Sequence, residues 1–449
     1  MKEFLVILFS ILLTLAGCSK ENKKSSETTS EIKKFERTMM EHYYYWADQM
    51  GSPNPNSYDV QEYFNAMLVK KDRWSWMCDG DQYNSNQTGV STSFGLHLKQ
   101  PITYYQDYNV YIAYVDSDSP VGKEGIKRGY QLTKINGTPI LTIVSENKLT
   151  DLLSNSTNTF TFKDLSGVEK DYQLTQASYK SKSVISTHIF NNSNCPILPP
   201  SKKVGYINYL TFNDNMKNEI IQALSQMKEE GIEDLILDLR YNGGGDLDLC
   251  TNIASLIAPE SANSKTFIKV THNSTQSSND FVCSIERSSN SLDLNNLYVI
   301  TSPSTASASE SLINGLSPYM NIITVGEKTY GKPNGMYVIL YPNNTTDISK
   351  VQYAFYPICF YCLNSQGKAD FENGLTPTYS RGDDLYHDFG VEEDLIYSCL
   401  NHIATGSVPT LAKKEYATTK DNEGETKRIT IPKIEDKQGY GLTTKSLNK

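Results

Sequence analysis

The stretch "VGEKTYGKPNG" (325–335) decides between two folds. Gly326, Gly331 and Lys332 fill the G-x-x-x-x-G-K positions of a phosphate-binding loop, which would make the chain a nucleotide binder. Such a loop needs Ser or Thr next, to hold Mg²⁺, and then a helix whose N-terminus faces the phosphates. Here Pro333 follows, and after it "NGMYVILYP", whose β-branched and aromatic residues read as a strand. Strand–loop–strand is predicted, not strand–loop–helix. Lys332 therefore needs a role other than phosphate binding.

Outward from this stretch, residues 203 to about 404 alternate strands and helices. "KVGYINYLTF" is a strand, and "NMKNEIIQALSQMKEEG" an amphipathic helix with Ile220, Leu224 and Met227 on one face. "IEDLILDLRYNGGG" is a buried strand that leaves through glycines, and "NLYVIT" another. "SPSTASASESLINGLSPY" is a small-residue turn into a helix, and "NIITVGEK" is the strand that leads to Lys332. This order predicts a parallel or mixed sheet with crossovers, and sites beyond the strand ends, where "NGGG" and "SPSTASAS" fall. Residues 88–180 are short strands bounded by Gly, Asn and Asp. Residues 34–87 are helical and aromatic, with Met39, Tyr43, Trp46, Tyr63 and Met67 as core candidates. The expected class is α/β (α+β multidomain): N-terminal helices 34–87, a β-rich domain 88–180, an α/β domain 181–405 and a polar tail 406–449.

The chain has 449 residues and a formal net charge of -9, with Lys and Arg spread through it, which argues against nucleic acid as a partner. It has no HExxH and no paired Cys/His framework, so neither a metal nor a cofactor is expected. Lys2 and the apolar run "FLVILFSILLTLAG" up to Cys18 read as a secretory signal (1–18), and "SKENKKSSETTSEIKK" as a flexible tether (19–33). Seven cysteines follow Cys18 without regular spacing; Cys359 and Cys362 form a C-x-x-C pair expected to be buried rather than redox-active.

"TASASE" offers serines in a strand-to-helix turn, where helix N–H groups point outward and can stabilise an oxyanion. A serine needs a base, yet no histidine lies between His272 and His387. Lysine is the other recorded base for serine. In a parallel layout Lys332, one helix and one strand after the serines, stands at the same edge of the sheet. Tyr330, Met336 and Val338 around it, with no carboxylate closer in sequence than Glu327, suit a desolvated lysine.

Two resemblances follow from these motifs. The order of the Phe94-Gly95-Leu96 loop, the Ser119-Pro120 helix and Ile135-Asn136-Gly137 resembles a PDZ domain, with Tyr130 where such domains usually carry Asp. That resemblance implies capture of a peptide's terminal carboxylate by the Phe94, Gly95 and Leu96 loop. "SASE" (307–310), "VGEKTYGK", "LILDLRYNGGG" and "ENGLTPTYSRGDDL", in this order, resemble the C-terminal-processing (tail-specific) peptidases, Ser/Lys proteases with a PDZ domain and a ClpP/crotonase-like core. The likeness covers about 34–404, and "KKDRWSWM" is similar to lipoprotein members. It implies Ser307 as nucleophile, Lys332 as general base, and the N–H groups of Ala308 and Gly244 as oxyanion donors. It also implies protein or peptide substrates taken by their C-termini. Some members carry Asp eleven residues after the nucleophile, where this chain has Pro318, and others Gln four after the lysine, where it has Met336. Leu15-Ala16-Gly17-Cys18 resembles a lipobox, which implies a lipid anchor on Cys18 in the cell envelope. The alternative is a peptide-binding lipoprotein whose protease site has decayed.

Overall fold

A computed structural model describes residues 26–99, 109–343, 345–409 and 443–444. Pro333 is followed by the strand Asn334–Tyr337, as the β-branched and aromatic run predicts, and no helix starts there. Two sheets frame this region. The first has six strands in the order Val184–Phe190, Val204–Tyr209, Asp234–Asp238, Asn296–Thr301, Asn321–Gly326 and Tyr379–Ser380. Its first pair is antiparallel and the rest parallel. The second has five, in the order Phe281–Ser284, Thr266–His272, Ile358–Leu363, Asn334–Tyr337 and Thr443–Thr444.

The central parallel strands are buried on both faces, which is why "DLILD" and "NLYVIT" are near-continuous apolar runs rather than alternating ones. The helix Lys217–Glu230 buries Ile220, Leu224 and Met227 as its 3.6-residue spacing predicts, and stops at Gly231 in the left-handed region. Strands between His97 and Thr175 form an antiparallel sheet, Val90–Ser93 and Ala177–Lys180 pair in a separate two-stranded one, and this region has a core of its own built on Phe94, Ile112, Leu132, Phe160 and Phe162. Cys359 and Cys362 lie buried on the strand Ile358–Leu363, and all seven described cysteines are buried and unpaired with one another. This matches the apolar role expected of them.

The N-terminal helix differs from expectation at its start. It runs Ser26–Tyr43, so it enters the stretch read as a tether. The reason is Ile32, a single apolar residue among polar ones, which is buried in register with Met39 and Met40. One anchoring residue leaves no visible periodicity in a sequence. The same helix buries Glu36 with neither carboxylate oxygen hydrogen-bonded. Burial raises its pKa to about 9, against the opposing pull of Lys33. A carboxyl raised in the folded state loses stability as pH climbs from its unfolded value toward the folded one. Glu36→Gln is therefore expected to raise stability by about 1–3 kcal/mol at pH 8 and to change it little at pH 4. Thermal unfolding at the two pH values checks this; equal shifts at both would contradict it.

Candidate active site

Three loops meet beyond the carboxyl ends of the parallel strands Asp234–Asp238, Asn296–Thr301 and Asn321–Gly326. Backbone bonds stitch them together. Ala306 N–H donates to Asn242 O at 3.1 Å, Tyr330 N–H to Thr305 O at 3.0 Å, and Leu239 N–H to Ile300 O at 3.0 Å. The glycine loop, the serine turn and the lysine loop thus form one assembly, as the parallel layout predicts.

Ser307 is the N-cap of the helix Ala308–Leu316, at φ 60° and ψ −113°. A non-glycine residue at positive φ costs on the order of 1–3 kcal/mol and persists where its surroundings over-determine it. Its Oγ is buried and makes no hydrogen bond. Lys332 is 1% exposed, with Nζ 3.7 Å from Met336 Sδ. Burial lowers its pKa to about 7, against Asp72, Glu310 and Cys362, which oppose that fall. A lysine so placed is substantially neutral near physiological pH, which is the state a proton acceptor needs. Met336 thus contacts the lysine through a thioether. Pro318 lies past the far end of the helix that Ser307 caps, roughly 15 Å along it at 1.5 Å per residue.

The expectation that no carboxylate stands near Lys332 is corrected by Glu310. Its carboxylate accepts from Ser307 N–H at 2.9 Å, Lys332 N–H at 2.8 Å, Gly331 N–H at 2.7 Å and Thr329 Oγ1 at 2.5 Å. It ties the backbone of Ser307 to the backbone of Lys332. Burial raises its pKa, and these same hydrogen bonds oppose the rise. The Ser-x-x-Glu spacing of a capping box is visible in "SASE", but the bonds to the lysine loop are tertiary and leave no signal in the sequence. Two residues of "KKDRWSWM" hold the lysine loop from outside. Arg73 Nη2 donates to Tyr330 O and Gly331 O, both at 2.9 Å, and Trp74 Nε1 donates to Gly331 O at 3.0 Å.

Of the two oxyanion donors expected, Ala308 opens its helix, where an amide has no acceptor within the helix. Gly244 packs directly on the serine: a Cβ there would meet Ser307 Cβ at 2.8 Å and Ala308 N at 3.0 Å, and its φ is +104°. No other residue fits. Its N–H, however, donates to Asn242 Oδ1 at 2.8 Å, so in this state the amide is engaged. Asn242 Nδ2 in turn donates to Tyr209 O at 3.1 Å.

The strand that feeds this loop ends in a buried charge cluster. Arg240 Nε donates to Asp238 at 2.9 and 3.0 Å, and Nη1 to Asp383 at 2.8 Å and Glu393 at 2.6 Å. Arg128, from the β-rich domain, donates to Asp383 at 3.0 Å, and Lys99 stands 3.2 Å from the same carboxylate. Burial alone would raise the Asp383 pKa, but Lys99, Arg128 and Arg240 outweigh it and hold it well below the usual carboxylate range. "RGDDL" supplied Asp383 to the motif, but its partner Arg128 comes from another domain.

A cleft of about 1170 Å³ runs between the domains. Leu96 and His97 line it at the β-rich domain, and Phe212 and Gly245 line it beside the glycine loop. Of the three residues expected to capture a carboxylate, Phe94 turns its ring into the domain core, 4.9 Å from Phe160. Gly95 N–H donates to Ser93 Oγ at 3.1 Å, and Leu96 faces the cleft. Cys18 lies outside the described residues, and among those described no helix is long and apolar enough to cross a membrane. The described residues hold no group of His, Cys, Asp and Glu able to bind a metal ion.

Residues 203–380 match peptidase family S41, and residues 31–76 match the peptidase S41 N-terminal domain. The carboxyl-terminal-processing protease of Synechocystis sp. is 38% identical over 133 residues, which is 30% of this chain and 29% of that protein. A probable CtpA-like serine protease of Staphylococcus aureus is 24% identical over 270 residues, 58% of this chain and 49% of its own length. The matches thus span less than half of these relatives. A solved structure from Bacteroides fragilis, assigned to the S41 proteases, superimposes with a TM-score of 0.67 at 22% identity, over 83% of this chain and 97% of that one. The shared architecture is the mixed α/β fold with N-terminal helices described above. Residues 203–380 are thus similar to the peptidase domain of family S41, and residues 31–76 to its N-terminal domain.

Proposed function

We propose that the chain is a serine endopeptidase that cleaves proteins or peptides presented by their C-termini, with Ser307 as nucleophile and Lys332 as general base. The observation that carries this is the pairing of a strained, buried serine with a desolvated lysine through the single carboxylate of Glu310. Neutral Lys332 takes the Ser307 hydroxyl proton as Oγ attacks the scissile carbonyl. The acyl-enzyme forms as the amine leaves with that proton, and water then releases the acyl group. Ala308 N–H faces the oxyanion, joined by Gly244 N–H once the Asn242 side chain lets it go. No hydrogen bond joins Ser307 Oγ to Lys332 in the described state; such bonds commonly tighten only with substrate in place.

On the same proposal, residues 88–180 act as a PDZ-type capture domain, and the shared cleft leads a bound C-terminus from Leu96 toward the glycine loop. Lipid on Cys18 would hold the enzyme at the cell envelope. Casein hydrolysis that disappears in Ser307→Ala tests the peptidase. Hydrolysis unchanged by that substitution would rule it out. Capture is tested with matched peptides: free-acid C-termini should be preferred over amidated ones by roughly 10- to 100-fold, since a charge-assisted hydrogen bond is worth about 1.5–3 kcal/mol. Equal cleavage of both forms would remove the capture role.

A further inference from the structure

The strand Asn334–Tyr337 would be an edge of its sheet but for one short partner. Thr443–Thr444, more than a hundred positions later in the sequence, pairs with it in parallel, Met336 opposite Thr443 and Tyr337 opposite Thr444. An unpaired strand edge is a template for any extended chain, and peptide recognition by strand addition uses such edges. This edge is beside the chemistry. A strand added there runs about 4.8 Å from the Met336 backbone, and the Met336 sulfur touches the Lys332 amine at 3.7 Å. The ladder is irregular at the same point, with a register shift between Gly335 and Met336 against the strand Ile358–Leu363. Such bulges re-aim side chains and recur next to active sites.

We propose that the outer edge of Asn334–Tyr337 is a strand-acceptor site for extended polypeptide, and that the chain's own Thr443–Thr444 segment occupies it and competes with substrate. The site rests on the peptidase reading only for its consequence, a raised KM; occupancy itself does not depend on catalysis. Since the segment binds in cis, its removal frees the edge without altering Ser307, Lys332 or Glu310. Inhibition by this segment is competitive: it raises KM and leaves kcat alone.

The test uses the full chain with Thr443→Pro and Thr444→Pro together. Successive strand N–H groups point to opposite sides, so one of the two lost donors must face Met336. Amide hydrogen exchange is expected to speed up at least about tenfold at the one of Met336 and Tyr337 whose N–H faces this edge, as a paired edge becomes an open one. A labelled peptide of residues 439–447 is expected to bind this variant several-fold more tightly than the parent, in a Ser307→Ala background where no cleavage intervenes. In the active background the variant's KM for casein peptides should fall several-fold at constant kcat. Unchanged exchange at both Met336 and Tyr337, or equal peptide binding to variant and parent, overturns the proposal. An inactive parent overturns the peptidase reading instead, and the exchange and binding results then still decide the acceptor site.

Discussion

Lys332→Arg is expected to lower kcat/KM by on the order of 10²–10⁴-fold, the usual contribution of a positioned general base. Arginine keeps the positive charge but cannot give up its proton at any working pH, so it separates a base from a mere cation. Lys332→Ala should fail to the same extent without adding volume to a site that is 1% exposed. The cause is the protonation state. With burial lowering its pKa to about 7, Lys332 is charged and unable to accept a proton at pH 5, and neutral at pH 9. Activity in the parent should therefore rise as pH rises through about 7 and then level off. A rise only near the ordinary lysine value, about 10.4, would mean that the amine is solvated in the working enzyme.

Arg240→Met should be the most destabilising single change, by about 3–5 kcal/mol or more. Methionine matches much of the length of the side chain, so loss of volume is not the issue. Arg240 is fully buried and satisfies Asp238, Asp383 and Glu393 at once, and its removal leaves their carboxylates facing one another without water. Arg240→Lys should recover little, because a point charge cannot serve three carboxylates in the guanidinium's fork geometry. Urea unfolding measures this, and a loss below about 1 kcal/mol would show that Arg128 and Lys99 suffice to hold the cluster. Activity should fall as well, because Arg240 lies two residues before Asn242, whose side chain and carbonyl set the glycine loop and the serine turn.

What the sequence made legible was local. Pro333 and the aromatic run after it settled strand–loop–strand against a nucleotide loop, and the buried strands showed themselves as unbroken apolar runs. Lys332 was singled out because it stands at a strand end beside the serine turn of a parallel sheet, and Ser307 among those serines by the family resemblance of "SASE". The contacts that hold the candidate site together were not legible, because they join distant segments through polar atoms. Glu310 reads as a helix cap, and only the folded chain brings Thr329, Gly331 and Lys332 onto its other lone pairs. Gly244, expected as an oxyanion donor, packs against Ser307, yet the bond from its N–H to Asn242 depends on a side-chain rotamer, which no pattern encodes. The helix start at Ser26 escaped for a simpler reason, since Ile32 is the single apolar residue buried in its early turns, and the bonds of its neighbour Lys33 to Pro55 O and Tyr58 O are tertiary.

The Ser307–Lys332 dyad is most directly tested by following covalent labelling of the purified protein with a fluorophosphonate probe between pH 5 and pH 9, with mass spectrometry to locate the adduct. The dyad predicts one adduct, on Ser307, forming at a rate that rises through a single ionisation near pH 7 and is lost in Lys332→Arg. An adduct on another residue, or labelling of Lys332→Arg as fast as the parent, would contradict it.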